Sequence, residues 1–228
     1  MPSSQRRMCG WLYGRNAADL PRKRRNALEQ GRTALFGGTF NPPHLGHHDI
    51  VRKLAALPHI GRILIMPVNL PPHKPAEVAP AEDRLAMCRL TFSDLPKVCL
   101  REDEIDAQGK SYTFFTLERL AAEGIRNPLL VIGADSLVTF DRWFCYRDIL
   151  SMAELMVYRR DGVDDRELEQ TAETLQRQGG SICLTDFCPP AVSSTAIRAR
   201  VKNGQPIDRL VSESVAAYIK QKNLYAEE

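Results

Sequence analysis

No stretch of this 228-residue chain approaches the roughly 18 apolar residues needed to span a bilayer. Its N-terminal charges have no apolar run behind them, so neither an anchor nor a secretory signal is expected, and the chain reads as cytoplasmic. Cysteine occurs six times, at Cys9, Cys88, Cys99, Cys145, Cys183 and Cys188, but never in a CxxC pair or another zinc-type spacing. That leaves buried thiols in a reducing compartment as the default, with no metal site among the protein's own side chains. Internal repeats and low-complexity segments are also lacking, which excludes a solenoid and leaves one domain with a tail. A surplus of charge is missing from most of the chain as well. Of the formal +3, residues 1–30 carry +5 through Arg6, Arg7, Arg15, Arg22, Lys23, Arg24 and Arg25 against Asp19 and Glu29, leaving −2 for the rest. The body is therefore not a nucleic-acid surface, and the basic cluster reads as a solvated extension over residues 1–31.

What is present is an alternation of strands and helices. The apolar run Thr33-Ala34-Leu35-Phe36 leads into a Gly37-Gly38 turn and then a helical pattern with Ile50, Val51, Leu54 and Ala55 on one face. Residues 62–67 form a second buried strand ended by proline, 68–80 a proline-rich loop, 82–92 a helix and 98–100 a third strand. Helix is predicted over 111–123, a buried strand of the parallel-sheet kind over 128–133, and another strand over 155–158. A polar helix over 163–178, a strand over 181–184 and helices over 194–202 and 212–222 complete the chain. This order predicts an α/β fold with a doubly wound parallel sheet over residues 32–228. Ligands of such sheets lie beyond the carboxyl ends of the strands, at the switch point. The Gly37 turn, the loop after Pro67 and the Gly133-Ala134-Asp135 turn should therefore converge on one crevice.

Most of the chemistry sits in Gly37-Gly38-Thr39-Phe40-Asn41-Pro42-Pro43-His44-Leu45-Gly46, closed by His47. Strand, glycine-rich turn and helix start make a phosphate-binding context: the backbone can pass close to an anion, and the helix N-terminus offers unpaired N–H groups and partial positive charge. A second anion site is read in Ser193-Ser194-Thr195, where hydroxyls can cap a helix start and Arg198 returns to the same face one turn on. Two helix starts and an arginine can together grip a triphosphate.

These segments resemble bacterial nicotinate-nucleotide adenylyltransferases of the nucleotidyltransferase superfamily. The resemblance rests on GGTFxPxHxGH at 37–47, PPHK at 71–74, SYTxxTL at 111–117, GxDxLxxFxxW at 133–143 and SSTxIR at 193–198, with Tyr218-Ile219 and Leu224-Tyr225 similar to the family's C-terminal helix. It covers residues 32–226 and implies a Rossmann-like nucleotidyltransferase fold. It also implies a reaction of ATP with nicotinate mononucleotide, with magnesium, giving nicotinate adenine dinucleotide and pyrophosphate.

The residue types suit that chemistry. The nucleophile would be a phosphate oxygen already ionised at neutral pH, so no general base is needed and catalysis reduces to alignment and charge neutralisation. His44, His47 and Arg198 are the expected catalytic donors, and a histidine beside polyphosphate should have a raised pKa. ATP would be held by Gly37, Gly38, Thr39, Phe40, Gly133, Asp135, Ser193, Ser194 and Thr195. The mononucleotide would meet Trp143, able to stack on the pyridine ring, and the Tyr112-Thr113 turn, which resembles a backbone site for the nicotinate carboxylate. Lys74 reads equally as a phosphate contact or as a surface lysine. Two positions depart from the family pattern. Asn41 replaces the usual Asp, keeping a capping oxygen without the charge, and Phe115 replaces an Asp in the SYT segment. A nicotinamide-mononucleotide or phosphopantetheine adenylyltransferase, and a non-catalytic nucleotide-binding regulator, stand as alternatives; a homo-oligomer stays open.

Overall fold

Side-chain alternation along the strands decides how the layers stack. In β1 (Arg32–Gly38) Ala34 and Phe36 face one way and Leu35 the other. In β2 (Ile60–Pro67) Ile63 and Ile65 oppose Leu64 and Met66, and in β4 (Leu129–Gly133) Leu129 and Val131 oppose Leu130 and Ile132. Both faces are apolar, so both must be covered by helices. The computed structural model describes residues 31–68, 78–106 and 111–226. It shows a six-stranded, all-parallel sheet in the order β3-β2-β1-β4-β5-β6, with β3 at Val98–Leu100, β5 at Glu154–Tyr158 and β6 at Ser181–Leu184.

The face of Phe36 and Ile63 is covered by α1 (Leu45–Ala55) through Ile50, Val51 and Leu54, and by α2 (Ala81–Phe92) through Cys88 and Phe92. The face of Leu35 and Leu64 is covered by α4 (Thr113–Ala122), by the short α5 (Ala134–Leu137), by α6 (Tyr146–Met152) and by α7 (Asp165–Arg177). A four-residue helix α3 (Asp103–Asp106) precedes α4. The last helices, α8 (Ser194–Lys202) and α9 (Glu213–Gln221), form a separate cluster in which Ile197, Val211, Val215 and Ile219 pack on Met87 of α2. This doubly wound architecture is the expected one, and strand order reverses direction between β1 and β4. No helix among the described residues is long and apolar enough to cross a membrane.

The structure corrects several local expectations. Gly37 and Gly38 are the last residues of β1 rather than a turn, because they pair in register with Met66 and Pro67. Residues 134–152, given no helix from sequence, contain α5, a 3-10 turn at Phe140–Arg142 and α6; these pieces are too short to show a sustained helical period. The basic extension at 1–30 and the PPHK segment with Lys74 lie outside the described residues.

Met87 is fully buried where α2 meets the α8–α9 pair, so Met87→Ala should remove about 2–5 kcal/mol of stability, read as a lower urea midpoint.

Candidate active site

Helix α1 begins at His44, whose extended backbone (φ −147°, ψ 174°) marks it as the N-cap. The backbone N–H of His44 donates to Nδ1 of His47 at 3.2 Å. Neutral His47 therefore carries its proton on Nε2, ready to donate. The two rings stack, with centroids 3.7 Å apart and planes at 26°, while Phe40 and Phe36 pack their rings against His47. His44 is buried, and its Nδ1 has no hydrogen-bond partner among the described residues. The ring is turned back on the helix start, where the His44 side chain and the His47 backbone form the other half of a capping box. At Gly46 a Cβ would lie 3.1 Å from the His44 ring and 3.2 Å from the Pro190 carbonyl, so a side chain there would push these parts a few tenths of an ångström apart.

The loop between β1 and α1 is held by its carbonyls. Buried Arg84 donates to Thr39 O (2.9 Å), Val68 O (2.6 Å) and Ala79 O (3.1 Å). Arg198 donates to Asn41 O (2.8 Å) and to Thr195 Oγ1 (3.4 Å), and the Ser194 hydroxyl donates to Pro42 O (2.8 Å). Contrary to the expectation that its oxygen caps the helix, Asn41 does not cap α1, whose N-cap is His44. Its Oδ1 instead accepts from the Ala79 N–H (3.0 Å) and the Tyr225 hydroxyl (2.8 Å), joining loop, α2 entry and C-terminus. Of the three hydroxyls expected to cap α8, only Ser193 does so, accepting from Ala196 N at 3.1 Å. Both helix starts are thus brought together, with Arg198 between them. Phe40, named as an ATP contact, turns its ring inward behind His47.

Across the switch point, Gly133 ends β4 and Asp135 begins α5. A Cβ on Gly133 would fall 2.4 Å from Asp135 Oδ1 and 3.2 Å from the Tyr158 ring, so a larger residue there would have to displace the Asp135 carboxylate. Asp135 accepts from Arg160 at 3.1 Å. Arg160 lines a cleft of about 430 Å³ together with His44, His47, Tyr158, Ser193 and Arg200. Sequence reasoning missed Arg160 and Tyr158. A signal existed: both stand at the carboxyl end of a predicted parallel strand, where ligands bind in this fold.

The remaining expected residues form an aromatic group. Tyr112 is the N-cap of α4 and Thr113 its first residue. The Tyr112 ring lies 5.1 Å from Phe144, and Phe115 lies 5.6 Å from Phe144; both phenylalanines are exposed. Trp143 is not helical: it closes the 3-10 turn with extended backbone and stands half-buried, its ring 4.9 Å from Phe140. Crossover helices run antiparallel to the strands, so the start of α4 lies at the same edge of the sheet as the start of α1.

The protein's own groups in the cleft lower the titration of both histidines. Burial and the Arg160 cation push the His44 pKa down to about 4, and burial, His44 and Arg160 push that of His47 well below its usual range. The expected rise needs a bound polyanion. Without one, a stacked pair facing an arginine favours neutral rings. Among the described residues, no three or more His, Cys, Asp and Glu side chains gather as a metal site.

The family described as cytidylyltransferase-like matches residues 35–200. A Citrobacter koseri protein named "Probable nicotinate-nucleotide adenylyltransferase" is 40% identical over 207 residues, covering 84% of this chain and 97% of that protein. The nicotinate-nucleotide adenylyltransferase of Escherichia coli O157:H7 is 39% identical with the same coverage. Among solved structures, the Plasmodium falciparum nicotinic acid mononucleotide adenylyltransferase complexed with NaAD superposes with a TM-score of 0.70 at 15% identity, covering 86% of this chain and 97% of that one. That likeness concerns the fold.

The histidine pair makes stability depend on pH. Unfolded His44 titrates near 6.5 and folded His44 near 4, so below pH 6.5 the unfolded chain binds the proton first. This contribution, about 3 kcal/mol, is fully present above pH 6.5 and is lost as pH falls toward 4. Urea unfolding between pH 7.5 and 4.5 should show a shallower decline for His44→Gln than for the wild type; parallel curves would contradict the buried neutral ring.

Proposed function

The chain belongs to the nicotinate-nucleotide adenylyltransferase family, within the cytidylyltransferase-like group, and on that premise we propose that it transfers AMP from ATP to nicotinate mononucleotide. The products are nicotinate adenine dinucleotide and pyrophosphate, a step of NAD biosynthesis. The observation that carries this reading is the convergence of the stacked His44–His47 pair, the α8 start and Arg160 on one cleft at the switch point. Arg198 adjoins it through the β1–α1 loop.

An oxygen of the mononucleotide's phosphate attacks the α-phosphorus, and the bond from that phosphorus to the bridging oxygen of the β-phosphate breaks. Pyrophosphate leaves with the electron pair. The attacking oxygen is already ionised, so the residues align the reactants and neutralise charge rather than abstract a proton. His47 donates from Nε2, and the His44 ring lines the cleft beside it. A bound polyanion opposes the downward shift of the rings, while His47 keeps Nδ1 as the acceptor of the His44 N–H and donates as the neutral Nε2–H tautomer. Arg198 and Arg160 spread the charge of the pentacovalent transition state and of the departing pyrophosphate. Gly37, Gly38, Thr39, Phe40, Gly133, Asp135, Ser193, Ser194 and Thr195 form the proposed ATP surroundings, with Asp135 at a ribose hydroxyl and Lys74 at phosphate. Magnesium arrives on the triphosphate as part of the substrate and screens its charge. The buried thiol of Cys88 suits a reducing cytoplasm.

The mononucleotide is assigned to the aromatic group. Phe144, Phe115 and Trp143 offer ring faces, and the first N–H groups of α4 at Thr113 suit the nicotinate carboxylate. An amide in place of that carboxylate would turn a donor toward donors.

Two measurements test this function. Incubation with ATP, magnesium and each mononucleotide should release pyrophosphate with a preference for the acid over the amide of about 10²-fold or more in kcat/KM. Equal rates would move the chain to a dual-specificity sister activity, and binding without turnover would make it a regulator. His47→Ala and His44→Ala should each lower kcat by about 10²–10³-fold with little loss of folded protein; near-normal turnover in both would remove their assigned role.

A further inference from the structure

Beneath the start of α4 lies a carboxyl group that neither the phosphate cleft nor the aromatic group uses. Glu104, on α3, is only 7% exposed. Its Oε1 accepts a hydrogen bond from the Thr116 hydroxyl in the first turn of α4, and the Ser111 hydroxyl faces the same carboxyl. Thr116 also turns its hydroxyl toward Tyr112 O, at 3.5 Å, so the carboxyl reaches the N-cap residue through one side chain. Glu104 Oε2 is buried without a hydrogen-bond partner among the described residues, as is Nη1 of Arg119, one turn further along α4. No side chain caps the first turn of α4 at Tyr112.

A buried carboxyl costs stability that an apolar residue at the same place would not. Its contacts here all lead to one place. Ser111 precedes the N-cap and Thr116 follows it by four residues, so holding both hydroxyls fixes the direction in which the N–H groups of Thr113 and Phe114 point. We infer that Glu104 is a positioning residue for the mononucleotide site, bracing the first turn of α4 so that its N–H groups stay aimed at the nicotinate carboxylate. This rests on the reading of α4's start as the carboxylate site. The charged groups facing Glu104 are Asp103 on its own helix and Arg119 on α4, and Asp103 is itself taken up by Arg101. Burial raises the pKa of Glu104. Because Thr116 donates to Oε1, an amide of the same shape keeps that acceptor and can replace the carboxyl in the brace.

The test is steady-state kinetics of the full-length protein with each substrate varied in turn. Glu104→Ala should raise KM for nicotinate mononucleotide at least tenfold and narrow the acid-over-amide preference, leaving KM for ATP within twofold. Glu104→Gln should restore most of the loss. Thr116→Val, which removes only the hydroxyl from the brace, should shift the same KM in the same direction even if the alanine variant folds poorly. An unchanged mononucleotide KM in both Glu104→Ala and Thr116→Val, an equal rise for both substrates, or a glutamine variant no better than alanine would overturn the proposal. A wild type without acid-over-amide preference would instead overturn the carboxylate-site reading, whereas a preference that survives Glu104→Ala intact defeats only the brace.

Discussion

The site depends on one constraint: the loop leaving β1 has its carbonyl oxygens claimed by side chains from elsewhere. Thr39 O is taken by Arg84, Asn41 O by Arg198 and Pro42 O by Ser194. A loop would ordinarily satisfy its backbone with water, and would then be free to move. Here the carbonyls are paired within the protein, so α1 begins at a fixed point and the His44–His47 stack follows. Leu45 N–H donating to Leu210 O at 2.9 Å adds a tie from the C-terminal segment.

That arrangement explains why the α8–α9 pair is packed so firmly. Arg198 can hold the loop only if α8 is docked, and α8 is docked through Ile197, which is fully buried with Met87 and Val215. Tyr225 OH reaches Asn41 Oδ1, so the end of the chain closes on its first motif. Apolar packing thus sets the placement of an anion-binding group.

Charge contributed by the protein to the cleft is balanced rather than accumulated. Arg160 is held by Asp135 and the histidines are neutral, which avoids burying several unpaired cations before a polyanion arrives.

The amino-acid pattern alone determined the doubly wound class, the two faces of β1, β2 and β4, and the helix starts after the 37–47 and 193–198 motifs, because strand period, glycine placement and helix-start chemistry are local. The likeness to a known family added the reaction. Tertiary structure decided what depends on residues far apart in sequence: that Arg84 and Arg198 clamp one loop, that Asn41 ties Ala79 to Tyr225 instead of capping a helix, and that Arg160 faces both histidines. It also decided the direction of histidine titration, since burial and an arginine 113 residues after His47 outweigh the intrinsic value. Gly37 and Gly38 show the same division: their composition suggests a turn, but pairing with Met66 and Pro67 keeps them in the sheet, because hydrogen bonds to a neighbouring strand outweigh a local turn preference.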